Sequence, residues 1–243
     1  MCTVVVLHRP GHDWPLLLAA NRDERLDRAW DLPAAYWPEY PHIVAGRDRS
    51  AGGTWMGMNR AGVVAAVLNR QGTLGPADGK RSRGELPLMA LAHDTAEAAA
   101  AEFATLNGGA WRGFNLVVAD AAGAFFVRGV GHGPLVVERL PEGVSMVTAH
   151  DPNDYDSPRV ARHLPRFETE PAPTPNDWNT WETILSDRSG ESAQQLNVVP
   201  RGGFGTVSSS LVALPANGTP IWRFAAGPPH RAVFEPIDMA QAG

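Results

Sequence analysis

The first apolar stretches of the chain are continuous rather than alternating. Residues 4–7 and 16–20 are unbroken runs, joined by the turn-forming segment HRPGHDWP. Runs this short, bounded by Gly, Pro and Asp, read as two buried strands connected as a hairpin. Residues 22–50 are polar, aromatic and proline-bearing with no clear period, and are expected to form an extended excursion carrying Trp30, Tyr36 and Trp37. Excursions of that length tend to cover a site. The segment GGTWMGMNRAGVVAAVLN then predicts strands at about 54–58 and 63–68 around the turn from Asn59 to Gly62.

After the basic loop RQGTLGPADGKRSRG, residues 85–106 are rich in Ala and Leu at helical spacing and stop at Asn107-Gly108-Gly109, which predicts one helix with Pro87 in its first turn. Strand patterns return at 114–119, 124–130, 135–140 and 144–148, four in succession and so expected to pair antiparallel. Helical patches are expected at 158–164 and 177–185, linked by the exposed ETEPAPTPND, and the chain closes with a hairpin around Ala216, Asn217 and Gly218. The order strands, helix, strands, helices, strands predicts antiparallel sheets with outer helices and a single domain over 1–243. No internal repeat and no nucleotide-binding glycine loop is present.

Composition narrows the function class. The 243 residues are 44% hydrophobic and carry a formal net charge of -5 without a long run of either sign, so neither nucleic acid nor an anionic membrane surface is an expected partner. A single cysteine excludes an intrachain disulfide framework and a multi-cysteine zinc site and suits a reducing compartment, so the cytoplasm is expected. No apolar stretch reaches the roughly 20 residues of a membrane span, and residues 3–7 are too short for a signal-peptide core. Oligomeric state leaves no trace in the sequence.

That one cysteine, Cys2, directly follows the methionine and heads the first strand, while Asn21, Arg22, Asp23 and Glu24 cluster at the end of the second. Methionine is usually removed before a small residue. Cys2 would then carry a thiol and a free α-amine, whose pKa of about 7.7 to 8.0 lets it take the thiol proton near neutrality. Arg22 is the candidate cation to lower the thiol pKa, and Asp23 or Glu24 would offset its burial and hold the amine. The competing reading is a small buried cysteine beside a solvated strand end.

The segments MCTVVVL, LAANRDE, GGTWMGMNRAGVVAAVLN, RSRGEL and FGTVSSSLVAL together resemble the NRDE-motif family, the bacterial relatives of the transport and Golgi organisation proteins. The resemblance runs to about residue 214. It implies the fold of the N-terminal nucleophile hydrolases, an α+β four-layer αββα sandwich of two stacked antiparallel sheets flanked by helices, as in choloylglycine hydrolases and penicillin V acylases. It also implies a cysteine hydrolase cleaving an amide, non-peptide C–N bond or related acyl bond of a small molecule, with no cofactor. Carried over by position, it implicates Cys2, Arg22 and Asp23, although the order Asn-Arg-Asp differs from the acylases' Arg-Asn-x-Asp. Asn69 falls where the acylases place an oxyanion-hole asparagine, and His150 stands where a second asparagine is expected.

Around that centre, Asn21, Trp55, His150 and Arg83 are candidate substrate contacts. Core packing competes for Trp55, a solvated loop for Arg83, and a turn histidine satisfied by Asp151 and Asn153 for His150. Gly52 and Gly53 predict a close backbone approach to a neighbour or a ligand. The resemblance also carries a rival function, a non-catalytic binding or trafficking protein for haem or acyl and lipid ligands, although no histidine pair has telling spacing.

Overall fold

A computed structural model describes residues 2–241. In chain order it contains β1 (Thr3–His8), β2 (Leu16–Arg25), β3 (Trp30–Ala34), β4 (Ile43–Asp48), β5 (Met56–Asn59) and β6 (Val64–Asn69). Helices α1 (Leu86–Leu91) and α2 (Ala96–Phe103) follow, then β7 (Phe114–Asp120), β8 (Gly123–Gly129), β9 (Val136–Arg139) and β10 (Gly143–Val147). The chain ends with α3 (Pro158–Thr169), α4 (Asn179–Leu185), β11 (Phe204–Leu214), β12 (Ile221–Ala225) and β13 (Phe234–Pro236). Its described residues divide into two compact units, one of residues 2–28 and 141–237, the other of residues 29–140 and 238–241.

The first unit holds a six-stranded sheet in the order β10-β1-β2-β11-β12-β13, antiparallel at every pairing. Alternation sorts its side chains. Val5, Leu7, Leu17, Ala19, Leu211 and Ala213 pack in one apolar cluster with Val160, Leu164 and Phe167 of α3 and Trp181, Ile184 and Leu185 of α4. Their neighbours Val4, Val6, Leu16 and Leu18 point to the opposite face and are buried as well. Burial on both faces is why these strands read as unbroken apolar runs.

The second unit holds a seven-stranded sheet in sequential order, β3 through β9. Ile43, Ala45, Ala65, Leu116, Val118, Phe125 and Val127 form one face of it and pack with Leu88, Leu91, Ala99 and Phe103 of α1 and α2.

Four expectations are corrected. The excursion at 22–50 contains β3 and β4, and β2 itself runs on through Arg25. β3 is an edge strand holding Pro33, its register with β4 slips between Asp31 and Ala34, and its apolar signal is correspondingly weak. The helix expected over 85–106 is two helices. Asn59 ends the first by donating from Nδ2 to the carbonyls of Leu91 (2.9 Å) and His93 (2.7 Å). Thr95 starts the second by accepting from the Ala98 amide at 3.1 Å, while Asp120 accepts from the Ala96 amide at 2.7 Å. α3 continues past residue 164 through Pro165 to Thr169. Finally, only three of the four successive strands pair with one another, because β10 leaves β9 and pairs with β1. Among the described residues no helix is long and apolar enough to cross a membrane.

Candidate active site

Register builds the site. β1 and β2 pair Thr3 with Asn21, so one step further Cys2 lies opposite Arg22. β2 and β11 pair Arg22 with Ser208 and Asp23 with Thr206, around a bulge at Val207. Cys2, Arg22 and Ser208 therefore form a row across three adjacent strands, on the face away from α3 and α4. Thr3, Asn21, Asp23 and Ser209 alternate to the helix-facing side.

The Cys2 thiol donates to the Asp23 backbone carbonyl at 3.6 Å. Burial, and after it the Asp23 carboxylate, push this thiol above its ordinary value. The hydrogen bond and the Arg22 guanidinium pull the other way without cancelling that effect. This corrects the expectation that Arg22 leaves Cys2 with a depressed pKa: desolvation disfavours the thiolate more than the cation stabilises it. Arg22 is buried, with its Nη2 4.0 Å from Glu24 Oε2, and Glu24 also faces Arg28 Nε at 3.7 Å.

Asp23 is balanced from the helix side. Its Oδ2 accepts from Arg159 Nη1 at 3.0 Å and its Oδ1 accepts from the Thr206 hydroxyl at 2.6 Å. Arg159 Nη1 also reaches the Thr3 hydroxyl at 3.0 Å, and Thr206 Oγ1 accepts from the Val198 amide at 2.8 Å. The carboxylate expected to offset Arg22 thus has a partner on α3. Neither Arg159 nor Thr206 was legible as a site residue. A signal exists for Arg159, since Ser157 caps α3 and Pro158 opens it, which puts a cation in the first turn where the helix dipole disfavours one unless another partner holds it.

Asn21, expected to contact substrate, is an anchor instead. Its Nδ2 donates to the Leu185 and Leu196 carbonyls at 2.9 Å and 3.0 Å, and its Oδ1 accepts from the Ser209 hydroxyl at 2.6 Å. Both amide protons and the carbonyl are engaged, and the residue is buried. His150 lies just past β10 with Nδ1 3.4 Å from Asp154 Oδ2, so Asp154 is a carboxylate neighbour of this ring. Asn153 serves the turn itself at a φ of 55°, accepting from the Met146 amide at 2.6 Å and donating to the Val144 carbonyl at 3.1 Å.

The remaining candidates belong to the second unit. Asn69 ends β6 opposite Phe114 and is half-buried. Trp55 meets Trp30 edge-on with ring centroids 5.7 Å apart and lies over Gly46, where an added Cβ would fall 2.3 Å from its ring. Arg83 donates to the carbonyls of Thr73 (2.8 Å), Gly113 (3.0 Å) and Gly75 (3.2 Å), which ties down the basic loop. The close approach expected at Gly52 and Gly53 is found at Gly53 alone, and its partner is backbone: a Cβ on Gly53 would sit 2.5 Å from the Gly84 carbonyl, and the Thr54 amide donates to that carbonyl at 2.8 Å, whereas Gly52 faces open space and serves the turn through its φ of +75°. Among the described residues no group of three or more His, Cys, Asp or Glu side chains is arranged to hold a metal ion.

A family model described as Transport and Golgi organisation 2 matches residues 1–138. Among curated proteins, the Transport and Golgi organization 2 homolog of Mus musculus is 35% identical over 108 residues, 43% of this chain and 38% of that protein. The Homo sapiens homolog is 37% identical over 114 residues, 45% of this chain and 40% of that protein. The matched segment thus spans about two fifths of these relatives' length. Among solved structures, penicillin V acylase from Agrobacterium tumefaciens aligns with a TM-score of 0.58 at 16% identity, covering 98% of this chain and 86% of that one. A Caenorhabditis elegans N-acylethanolamine-hydrolyzing acid amidase ortholog gives 0.60 at 12% identity, over 86% of this chain and 92% of that one. A mutant conjugated bile acid hydrolase from Clostridium perfringens gives 0.56 at 13% identity, over 100% and 94%. At such identities the likeness is one of fold alone, and it bears out the N-terminal nucleophile hydrolase-like fold expected from the resemblance.

Proposed function

Because the chain belongs to the Transport and Golgi organisation 2 family and has the fold of N-terminal nucleophile acylases, we propose that it is an N-terminal cysteine hydrolase acting on an amide or related acyl bond of a small molecule. The observation that carries this reading is the pairing of Cys2 with Arg22 on adjacent strands, over a buried Asp23–Arg159 pair that fixes the end of β2.

Loss of Met1 makes Cys2 its own base. The thiol proton passes to the α-amine as sulfur attacks the carbonyl carbon, and the resulting ammonium protonates the leaving nitrogen as the C–N bond breaks. Water then cleaves the thioester, returning the thiol and releasing a carboxylic acid. A thiol raised by burial has little thiolate at neutral pH, so the amine, with a pKa of about 7.7 to 8.0, is the group that makes attack possible. Arg22 supplies positive charge beside the sulfur, while Asp23 acts through its backbone carbonyl and its grip on Arg159. Asn69 is retained as the oxyanion donor on the resemblance alone, and the cytoplasm as the location on the lone cysteine.

The test is the intact mass of protein made with a native amino terminus, followed by alkylation rate against pH and turnover on N-acyl amides by wild type, Cys2→Ala and Asn69→Ala. Loss of Met1, alkylation that rises with the α-amine titration, and turnover abolished by Cys2→Ala are expected. Retained Met1 with a sluggish thiol overturns the mechanism. The rival reading is a carrier of haem or an acyl ligand, in which no acyl-enzyme forms. That carrier requires a ligand-dependent absorbance or fluorescence change without turnover of N-acyl amides.

A further inference from the structure

The first unit has a recess at the opposite end of β1 from Cys2, roughly 20 Å away for a six-residue strand. The turn between β1 and β2 contributes Arg9, His12 and Trp14, and the proline-rich connection between α3 and α4 contributes Pro173, Thr174 and Pro175, around a cavity of about 380 Å³. That volume lies in the range of small-molecule sites, about 300 to 1,000 Å³.

Its chemistry is lopsided. Trp14 joins the edge of the apolar core beneath the sheet, and with the prolines it gives the cavity apolar walls. Arg9 is the one formally charged side chain in that lining, half-buried, with its pKa lowered by burial. Its Nη2 reaches only the Trp14 carbonyl, at 3.4 Å, and its Nε is buried without an acceptor. Among the described residues no carboxylate pairs with it. A guanidinium held against apolar surface without counter-charge is costly, and a bound anion removes that cost. A second donor stands nearby: His12 accepts the Trp14 amide through Nδ1 at 3.0 Å, which places the proton of the neutral ring on Nε2.

We propose that this cavity binds an amphipathic monocarboxylate, with its carboxylate on Arg9 and His12 and its aryl or alkyl body against Trp14, Pro173 and Pro175. One guanidinium in an apolar recess matches a planar monoanion; a phosphate dianion requires more charge and more donors than these walls offer. The site is independent of Cys2 and of the reaction proposed above.

Isothermal titration of the 243-residue chain with cinnamate tests it, with cinnamamide as the uncharged isostere. Three proteins are compared: wild type, Arg9→Met, which keeps the stem and removes the charge, and Thr174→Trp, which fills the cavity from an exposed position. Wild type is expected to bind cinnamate at least about tenfold more tightly than cinnamamide, Arg9→Met to lose that preference, and Thr174→Trp to lose both ligands. Absence of cinnamate binding by wild type, or equal binding by wild type and Arg9→Met, overturns the proposal. Cys2→Ala is expected to bind like wild type; loss of binding there places the ligand elsewhere and overturns it too.

Discussion

Arg159 Nη1 lies 3.0 Å from Asp23 Oδ2 with 3% and 0% of the two side chains exposed, so the ion pair beside Cys2 is shut away from water. A helix and a strand 136 residues apart in sequence are locked at the level of the candidate nucleophile. Removing one partner leaves an uncompensated buried charge. Arg159→Met is expected to destabilise the protein by about 3 to 5 kcal/mol, and the double variant with Asp23→Asn to recover part of that loss. Urea unfolding of the four members of the cycle measures the coupling, and additive losses would show the two residues to be independent.

Asn21 is predicted to matter for folding before it matters for chemistry. Asn21→Ala orphans the buried Leu185 and Leu196 carbonyls and the Ser209 hydroxyl together, an expected loss of roughly 2 to 4 kcal/mol. Ser209→Ala removes one bond and is expected to cost about 1 kcal/mol. A substrate-contacting Asn21 would show the reverse pattern, with unchanged urea midpoints and a raised KM.

His163 sets an acid limit on stability. It is buried on α3, donates from Nε2 to the Gln194 carbonyl at 2.7 Å, and accepts from Arg166 through Nδ1 at 3.1 Å. Burial, helped by the nearby arginines and opposed by Gln194 and Asp187, lowers its pKa from 6.5 to about 4. The unfolded chain therefore takes up this proton before the folded one does. The contribution is complete above pH 6.5, falls as pH drops toward 4, and is gone below that. His163→Gln is expected to flatten the urea midpoint between those two pH values; an unchanged slope would assign the acid sensitivity to other groups.

Gly52 and Gly53 are adjacent but predicted to respond differently. Gly52 has a φ of +75° and open space around its Cα, so Gly52→Ala is expected to cost about 1 kcal/mol in backbone strain. Gly53→Ala drives a methyl into the Gly84 backbone at 2.5 Å, where no side chain can move aside, and is expected to cost about 2 kcal/mol or more. Thermal melts of the two variants rank them, and an equal loss would refute the close-approach argument.

Much of this architecture was legible one strand at a time. The continuous runs of β1 and β2, the Asn59–Gly62 turn and the closing hairpin all declared themselves through local pattern and turn chemistry. β3 was hidden because an edge strand with Pro33 and a slipped register carries little periodic signal, and β4 because its apolar run, Ile43 to Ala45, is only three residues long before Gly46 and two charged residues. The break between α1 and α2 was hidden for a different reason: it depends on Asn59, which caps α1 from a strand 32 residues earlier than Leu91.

By itself the sequence determined the strand alternation, and with it the placement of Cys2 beside Arg22 once β1 and β2 were known to form a hairpin. Hairpin register and side-chain period are local properties, fixed by a turn and a count of residues. Only the tertiary structure decided what each polar group in that row does. Asn21 became an anchor because α4 and the segment through Leu196 present two carbonyls to it. Asp23 became the partner of Arg159 because α3 delivers a cation to the helix side of β2. The Cys2 thiol is raised rather than lowered because burial, a property of the whole fold, outweighs the neighbouring charge that sequence could count.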